Sequence, residues 1–378
     1  MTQSIMRYKD FFSEKTQFAN FKTPLTLEFG GTLPEYRVAY RSWGKLNKSG
    51  DNAILICHAL TGSADADIWW APLFGEGKTF DETKDFIVCS NVLGSCYGTT
   101  GPASINPETG KRFGPDFPSF TIRDMVRVQR SLLNALGVKK LKMVIGGSLG
   151  GMQALEWCAM YPDFVETQVT IASSGKHSAW CIGLSEAQRQ AICADENWNG
   201  GHYTPENPPK NGLSAARMIA MCTYRTRASF ETRFARSLRA KETFNVESYL
   251  LYQGEKLVER FDANAYVKLT QAMDKHDLSR NRGDYYNVLK SIDIPSLIVA
   301  INSDILYPQE EQEELVRFMP NAQFGMLYSQ HGHDTFLIEM EALNKLVMAF
   351  QKQLPPEGKF LNDRSPIVST IFGSKLGV

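Results

Sequence analysis

A serine flanked by glycines is the first feature of this sequence that could do chemistry. Residues 146–150 read Gly-Gly-Ser-Leu-Gly, the G-x-S-x-G pattern of a nucleophile elbow with Ser148 as the nucleophile. Glycines are expected there because a strand that turns sharply into a helix at a strained serine leaves no room for neighbouring side chains. A glycine-rich turn without chemistry is the alternative interpretation.

A serine hydroxyl is a weak nucleophile alone, so the elbow requires a base that accepts its proton and an acid that orients the base. In folds that use this elbow, the acid follows a late strand and the histidine comes after it. Asp304 follows an apolar run at residues 296–301 and is the expected acid. His333 is the expected base, with His331 as the rival. His333 is preferred because Gly332 beside it allows close backbone approach.

Acyl chemistry also needs two N–H donors for the oxyanion of the tetrahedral intermediate. The amide after the nucleophile, that of Leu149, is the first expected donor. The second is expected from the loop after an early strand, where the sequence reads His-Ala-Leu-Thr-Gly from residue 58 and Leu60 is the predicted donor. A plain turn with a core histidine at His58 is the alternative.

The elements that must position these residues can be predicted from hydrophobic patterns. Unbroken apolar runs at residues 53–57 and 86–88 indicate strands buried on both faces, as in a parallel sheet, and residues 141–145, 167–172 and 296–301 are predicted as further strands. Helical spacing over residues 121–137, with Thr121 and Asp124 as a capping pair, predicts a helix that ends at Gly137. Strands and helices alternate, so the sequence predicts a doubly wound α/β fold.

The middle of the chain has a different pattern. Residues 184–290 lack continuous apolar strands but show helical spacing at 213–224 and 248–261, with a breaker-rich connection at 197–211. We therefore predict a discontinuous core, residues 1–183 and 291–378, interrupted by a helical insertion at 184–290. The tail after Pro355 has no strong periodicity, and no structure is predicted for it.

Composition limits the function classes. In the 378 residues, Lys plus Arg is 41 and Asp plus Glu is 41, so the formal charge is 41 − 41 = 0, and binding to nucleic acid or an acidic membrane surface is disfavoured. The seven cysteines are odd in number and never form a C-x-x-C pair, which argues against a disulfide framework and a zinc site. No export segment or membrane span is recognisable, so we expect a cytoplasmic protein.

Beyond the elbow, the sequence resembles the homoserine O-acetyltransferases of the α/β-hydrolase superfamily over nearly its whole length. The motifs that carry the resemblance are His58-Ala59-Leu60-Thr61-Gly62, Asn91-Val92-Leu93-Gly94, Gly98-Thr99-Thr100-Gly101-Pro102, Ser104-Ile105-Asn106-Pro107, the stretch 146–157, Ala216-Arg217-Met218-Ile219, Thr223-Tyr224-Arg225, Ser303-Asp304, Gly332-His333-Asp334 and Phe336-Leu337. It implies an α/β-hydrolase fold with a mostly parallel sheet, flanking helices and the insertion as a lid. Leu149, where family members often carry Met, is a departure of little consequence because only its amide acts.

The resemblance also implies a ping-pong reaction in which Ser148 takes an acetyl group from acetyl-CoA and passes it to the side-chain hydroxyl of L-homoserine, on the way to methionine. Arg217, Asp334 and Tyr224, with Thr61, would then hold the amino acid, since Arg pairs a carboxylate and an acid pairs an ammonium. No metal or bound organic cofactor is expected, and a homodimer through the lid is implied.

Several alternatives remain open from the sequence. They are succinyl-CoA as donor, serine as acceptor, a hydrolase on the same machinery, and a non-catalytic binding protein. Five arginines at 225, 227, 233, 236 and 239 could attract the CoA phosphates, but a solvated helix face is the preferred interpretation for them.

Overall fold

The computed structural model describes residues 13–354, which form a twisted eight-stranded sheet flanked by helices. Its strand order is β1-β4-β6-β5-β7-β8-β9-β10; β1, β4 and β6 pair antiparallel, and the pairs from β6 through β10 are parallel. A separate small sheet pairs β2 with β3. The strands are β1 (Gln17–Phe21), β2 (Leu25–Thr26), β3 (Thr32–Leu33), β4 (Tyr36–Trp43), β5 (Ala53–Cys57), β6 (Phe86–Ser90), β7 (Leu141–Gly147), β8 (Gln168–Ile171), β9 (Ser296–Ile301) and β10 (Ala322–Leu327).

The helices cover both faces of the sheet and build the insertion. They are α1 (Ala66–Trp69), α2 (Ile122–Ala135), α3 (Leu149–Met160), α4 (Ala179–Cys193), α5 (Lys210–Tyr224), α6 (Arg227–Arg233), α7 (Asn245–Val258), α8 (Ala263–Asp274), α9 (Tyr285–Ser291), α10 (Gln309–Phe318) and α11 (Met340–Gln353). Short 3₁₀ turns at Ala71–Leu73, Gly114–Asp116, Pro162–Phe164, Asn199–Gly201 and Gly332–Leu337 connect them.

The core lies on both faces of the sheet, as the unbroken apolar runs predict. Alternate residues of β5 point to opposite sides: Leu55 and Cys57 belong to one buried cluster, whereas Ile54 and Ile56 belong to the other. All five residues of β5 and of β6 are buried. Each of the five predicted strands is present with its bounds shifted by two residues or fewer, and the α/β fold class is confirmed.

Helix α2 shows how local sequence sets an element. Thr121 accepts the Asp124 amide and Asp124 accepts the Thr121 amide at 3.0 Å, so the predicted capping pair is a reciprocal capping box. The helix ends at Ala135, and Gly137 takes a positive φ of 84° just beyond it. Nine residues of α2 are buried, which fixes the helix against α3 and the sheet.

The insertion is helical, but its predicted bounds differ from the structure. Helix α4 begins at Ala179, capped by Ser178, and therefore crosses the predicted boundary at residue 184. The start of α4 is hard to recognise in the sequence because its first turn exposes the apolar side chains of Trp180 and Ile182 and so lacks a clear amphipathic pattern. The predicted helices at 213–224 and 248–261 are α5 and α7, each starting three residues earlier. The tail after Pro355, and the predicted core residues 1–12 and 355–378, lie outside the described residues.

Two further findings concern the described part of the chain. Within residues 13–354, no helix is both long enough and apolar enough to cross a membrane. All seven cysteines are free thiols, five of them buried.

Candidate active site

The nucleophile elbow joins β7 to α3. Ser148 has φ 57° and ψ −124°, a conformation that costs energy for any residue other than glycine. Its neighbours must be small: a Cβ on Gly146 would lie 2.8 Å, and one on Gly150 2.1 Å, from the carbonyl oxygen of Cys57 in β5. Ser148 is 6% exposed and stands at the positive N-terminal end of α3. The strain and the close strand packing are those expected of a G-x-S-x-G elbow.

The acid and the base meet at the carboxyl ends of β9 and β10. His333 Nδ1 lies 2.6 Å from Asp304 Oδ2, and the Asp304 side chain is fully buried. Asp304 Oδ1 accepts the amides of Leu306 and Tyr307 at 2.8 and 3.0 Å, which fixes the carboxylate in its plane. His331 does not contact Asp304; its Nδ1 is 3.5 Å from Ser229 Oγ instead. The structure therefore brings His333, and not its rival, to the acid.

The environment of His333 favours a basic imidazole. Burial alone would lower the pKa of His333, but the adjacent Asp304 carboxylate outweighs it and raises the pKa above its ordinary value. The rings of Tyr307, Tyr224 and Phe336 surround the imidazole at centroid distances of 5.3, 5.7 and 5.6 Å. They leave the ring little freedom to move away from the acid.

Gly147 of the elbow and His333 share a neighbour, Phe336. A Cβ on Gly147 would lie 2.8 Å from the Phe336 ring, which packs edge-on against His333. Ser148 Oγ makes no hydrogen bond to His333 among residues 13–354. Such bonds are often long or misaligned in a free enzyme and tighten with substrate. The Ser148–His333 bond therefore stays a prediction.

The segment that carries His333 differs in detail from its expected form. The sequence predicts a loop followed by a helix near Thr335, whereas His333 lies inside the 3₁₀ turn Gly332–Leu337, and α11 starts only at Met340. Thr335 Oγ1 donates to the Gly332 carbonyl at 2.6 Å and tightens this turn. Gly332 has φ 69°, and a Cβ there would lie 2.9 Å from the Tyr224 carbonyl oxygen, so the glycine permits the approach of α5.

The two predicted oxyanion donors come from two separate segments of the chain. Leu149 is the first residue of α3, and Leu60 lies in the loop after β5; within the described residues, neither amide has a hydrogen-bond acceptor. His58 in the same loop is fully buried: its Nε2 accepts the Val92 amide at 3.1 Å, and its Nδ1 is 2.8 Å from the Ala59 carbonyl. Burial lowers the pKa of His58 to about 4, so it is a neutral core histidine and also part of the loop.

The residues expected to hold the substrate lie together near the base. Arg217 and Thr61 line a cavity of about 270 Å³ that reaches Gly147 of the elbow. The Arg217 guanidinium lies 5.4 Å from the centre of the Tyr224 ring, and no ion pair of the described residues includes Arg217. Burial raises the pKa of Asp334, although nearby arginines oppose the effect. An unpaired guanidinium in a cavity is suited to bind a carboxylate.

Three residues near the site were not assigned to it from the sequence. Arg225 Nε approaches Asp334 Oδ2 at 3.1 Å without hydrogen-bond geometry, and its side chain is 17% exposed, so the interpretation of Arg225 as part of a solvated helix face is wrong. Tyr307 packs on His333, and Arg260 lines the cavity. Arg225 lies in the Thr223-Tyr224-Arg225 motif and Tyr307 lies three residues after Asp304, whereas no pattern in the sequence pointed to Arg260.

Comparisons with known proteins bear on the fold and the family of the chain. A family model described as the α/β hydrolase fold matches residues 52–339. The chain is 61% identical over 347 residues to a homoserine O-acetyltransferase of Nostoc punctiforme, covering 90% of this chain and 98% of that protein. A crystal structure of homoserine O-acetyltransferase from Bacillus anthracis has a TM-score of 0.84 at 26% identity, covering 90% of this chain and 99% of that one. Esterase E22 has a TM-score of 0.81 at 28% identity, covering 89% and 99%.

Proposed function

The chain belongs to the homoserine O-acetyltransferases, acyltransferase enzymes of the α/β-hydrolase fold, and we propose that it acetylates the side-chain hydroxyl of L-homoserine with acetyl-CoA by a ping-pong mechanism. The observation that carries the mechanism is the buried pair of Asp304 and His333, 2.6 Å apart, with Phe336 packed on His333 and lying against the strand-to-helix elbow that bears the strained Ser148. This arrangement suits a serine nucleophile with a histidine base.

In the first half-reaction, Ser148 Oγ attacks the thioester carbonyl carbon while His333 Nε2 accepts the hydroxyl proton. The resulting oxyanion is bound by the amides of Leu60 and Leu149, whose hydrogens have no acceptor among the described residues. As the C–S bond breaks, the imidazolium returns its proton to the CoA sulfur. CoA leaves, and the acetyl group remains on Ser148.

In the second half-reaction, His333 takes the proton of the homoserine hydroxyl, and its oxygen attacks the acetyl carbon of the intermediate. Collapse of the second tetrahedral intermediate breaks the ester bond to Ser148 and returns the proton to Ser148 Oγ. Every bond change is assigned to these side chains and substrates, so we expect no metal or bound organic cofactor, and a chelator should leave the rate unchanged.

Arg217 and Asp334 give the acceptor site its selectivity. A homoserine carboxylate would pair with the Arg217 guanidinium, which is free of other ion pairs in the described residues. Its ammonium would approach Asp334, and the Tyr224 ring and Thr61 would border the chain between them. Serine is shorter by one methylene, which is worth about 1 to 3 kcal/mol in a fitted pocket, so homoserine is the preferred acceptor.

The experiment that tests this function is mass measurement of the intact chain after mixing with acetyl-CoA or succinyl-CoA, without any amino acid. We expect an acetyl adduct that homoserine discharges faster than serine or water does. Ser148→Ala should lose the adduct. Preferential succinylation would overturn the choice of donor, and discharge by water at the rate seen with homoserine would favour a hydrolase, the activity named for the esterase neighbour.

We further propose a place in methionine synthesis, a cytoplasmic location and a homodimer through the lid. A reducing compartment is consistent with seven free thiols. The dimer is supported by apolar side chains that are half exposed on the insertion, Leu238, Leu251 and Tyr252. Light scattering of the wild type and of Leu251→Glu tests the dimer, which the substitution should weaken.

A further inference from the structure

The loop after β5 is held by hydrogen bonds from the segment after β6 and from the insertion. The Val92 amide donates to His58 Nε2 at 3.1 Å, and the Ala64 amide donates to Asn91 Oδ1 at 2.8 Å; both contacts come from the segment after β6. Within the loop, the Gly62 amide donates to the Ala59 carbonyl at 2.9 Å. These bonds fix the loop at its two ends and close a turn between them.

The contact from the insertion is made by Arg260. This residue lies two positions beyond the end of α7, and its Nη1 donates to the Thr61 carbonyl at 2.8 Å and to the Tyr97 hydroxyl. Tyr97 is buried, and Asn91 Nδ2 donates to its carbonyl at 2.8 Å, so the hydroxyl that Arg260 contacts is itself held in place. One guanidinium therefore joins the insertion, the loop and the segment after β6.

The chain direction connects this contact to the oxyanion donor. The Leu60 N–H belongs to the peptide unit whose carbonyl is that of Ala59, and the turn closed by Gly62 holds that unit from its carbonyl side. The Thr61 carbonyl lies inside the same turn, and Arg260 is the contact that holds it. If that contact is lost, the turn can rotate, and the Leu60 N–H then moves from its direction toward the elbow.

Within residues 13–354, the Arg260 guanidinium makes no hydrogen bonds other than those to Thr61 and Tyr97. None of the salt bridges of the described residues includes Arg260, although it is partly buried and lines the cavity that reaches Gly147. A cation without an acidic partner at such a place is costly unless its donors are used. The backbone carbonyl and the phenol are the acceptors that use them.

We infer that Arg260 is a positioning residue for the oxyanion hole, through which the lid fixes the Thr61 carbonyl and thereby the direction of the Leu60 amide. The inference rests on the proposed function, because it assumes that Leu60 binds the oxyanion. It makes the hole depend on the docked insertion: the core alone supplies the nucleophile, acid and base, but one donor is aligned from the lid.

A different role would make Arg260 a second ligand for the acceptor's carboxylate, beside Arg217. The two roles affect different steps. An aligned oxyanion donor acts in both half-reactions because each passes through a tetrahedral intermediate. A carboxylate ligand acts only when the amino acid binds, so it changes KM for homoserine and leaves acylation unaffected.

The experiment measures acylation by the burst of p-nitrophenol from p-nitrophenyl acetate, and transfer by kcat and KM for homoserine. Arg260→Met should slow both acylation and kcat by about 10- to 100-fold, less than the roughly 10²–10³-fold loss of a whole donor, while KM changes less than about twofold. Arg260→Lys should recover part of the rate. Tyr97→Phe should cause a smaller loss of the same kind.

The matched control is Lys78→Met, which removes a cation that donates to the Pro72 carbonyl at 2.9 Å outside the cavity, and it should leave both rates unchanged. Melting temperatures of the variants distinguish a misaligned Leu60 amide from a loss of folding. If Arg260→Met fails to fold, the same two rates are measured on Arg260→Lys. The inference is overturned if Arg260→Met acylates at the wild-type rate with a raised KM for homoserine, or if both its acylation rate and its kcat are unchanged. If the wild-type protein forms the adduct but homoserine does not discharge it, the proposed function fails while the burst still tests Arg260.

Discussion

Replacing Asp304 with asparagine tests the acid–base pair most directly. Oδ1 of Asp304 accepts two backbone amides, from Leu306 and Tyr307, so an asparagine must keep its oxygen there to avoid two unpaired N–H groups. Its NH₂ group then faces His333 Nδ1. That nitrogen must become an acceptor, which moves the imidazole proton to Nε2, the atom that should receive the proton of Ser148.

The expected loss is large because the wrong tautomer cannot act as the base. A comparable acid-to-amide exchange in serine enzymes lowers kcat by about 10⁴-fold, equivalent to about 5 kcal/mol of barrier. The pH profile should change as well. In the wild type, activity falls as pH falls through the pKa of His333, which Asp304 raises above its ordinary value. Without the carboxylate charge, this acid limb should move to lower pH.

The assay is the initial rate of CoA release with homoserine between pH 5 and 9. Asp81→Asn is the matched control, since Asp81 is a buried acid that accepts the Gly77 and Thr83 amides away from the site. It should leave the profile unchanged. If Asp304→Asn keeps more than about one tenth of the rate, or if the fall in its activity at low pH stays where the wild type has it, Asp304 does not orient His333 in this way.

Three further outcomes are expected. Arg217→Ala should form the acetyl adduct at the wild-type rate but transfer it poorly to homoserine, and an equal loss in both steps would contradict its role as a carboxylate ligand. Gly147→Ala should lower the melting temperature and the acylation rate, because its Cβ would lie 2.8 Å from an aromatic ring, whereas Gly183→Ala, in open space on helix α4, should leave the acylation rate unchanged and slightly raise the melting temperature. The free energy of unfolding, measured in urea, should fall as pH falls from about 6.5 to 5. Each buried histidine that remains neutral in the folded protein but gains a proton in the unfolded chain should lower it by about 2 kcal/mol. The pKa values of His58, His177 and His276 are lowered by burial to about 4, 3 and 4, and His276→Gln should make the fall less steep.

The parallel half of the sheet was predictable because strands buried on both faces leave an unbroken apolar signal. β5 and β9 have their predicted bounds. The N-terminal strands β1 and β4 were not predicted, since β1 is half exposed and charged residues interrupt the apolar pattern of β4. A strand near the antiparallel edge of the sheet has one face exposed to solvent, so its apolar sequence pattern is weaker than that of a central strand buried on both faces.

The same contrast holds at the site. Ser148, Asp304 and His333 could be identified from the sequence, because the elbow motif and the ends of the predicted strands indicate where these side chains lie. The role of Arg260 could not be predicted from the sequence, because its partner Thr61 lies 199 positions away and no local pattern marks a cation that donates to a distant carbonyl. Arg225 was misinterpreted for a related reason: a run of arginines on helices resembles a solvated surface until folding brings Asp334 beside it.

The insertion leaves the sheet after β8 and returns at β9, and these two strands are parallel neighbours, with Ile171 opposite Val299. The insertion is thus confined to the one connection between β8 and β9, and its replacement would leave every strand pairing of the core intact. Ser148 belongs to the core, whereas Arg217 and Arg260 belong to the insertion. An esterase and a homoserine O-acetyltransferase of known structure share this scaffold, and a change confined to the insertion would leave the elbow of Ser148 unchanged.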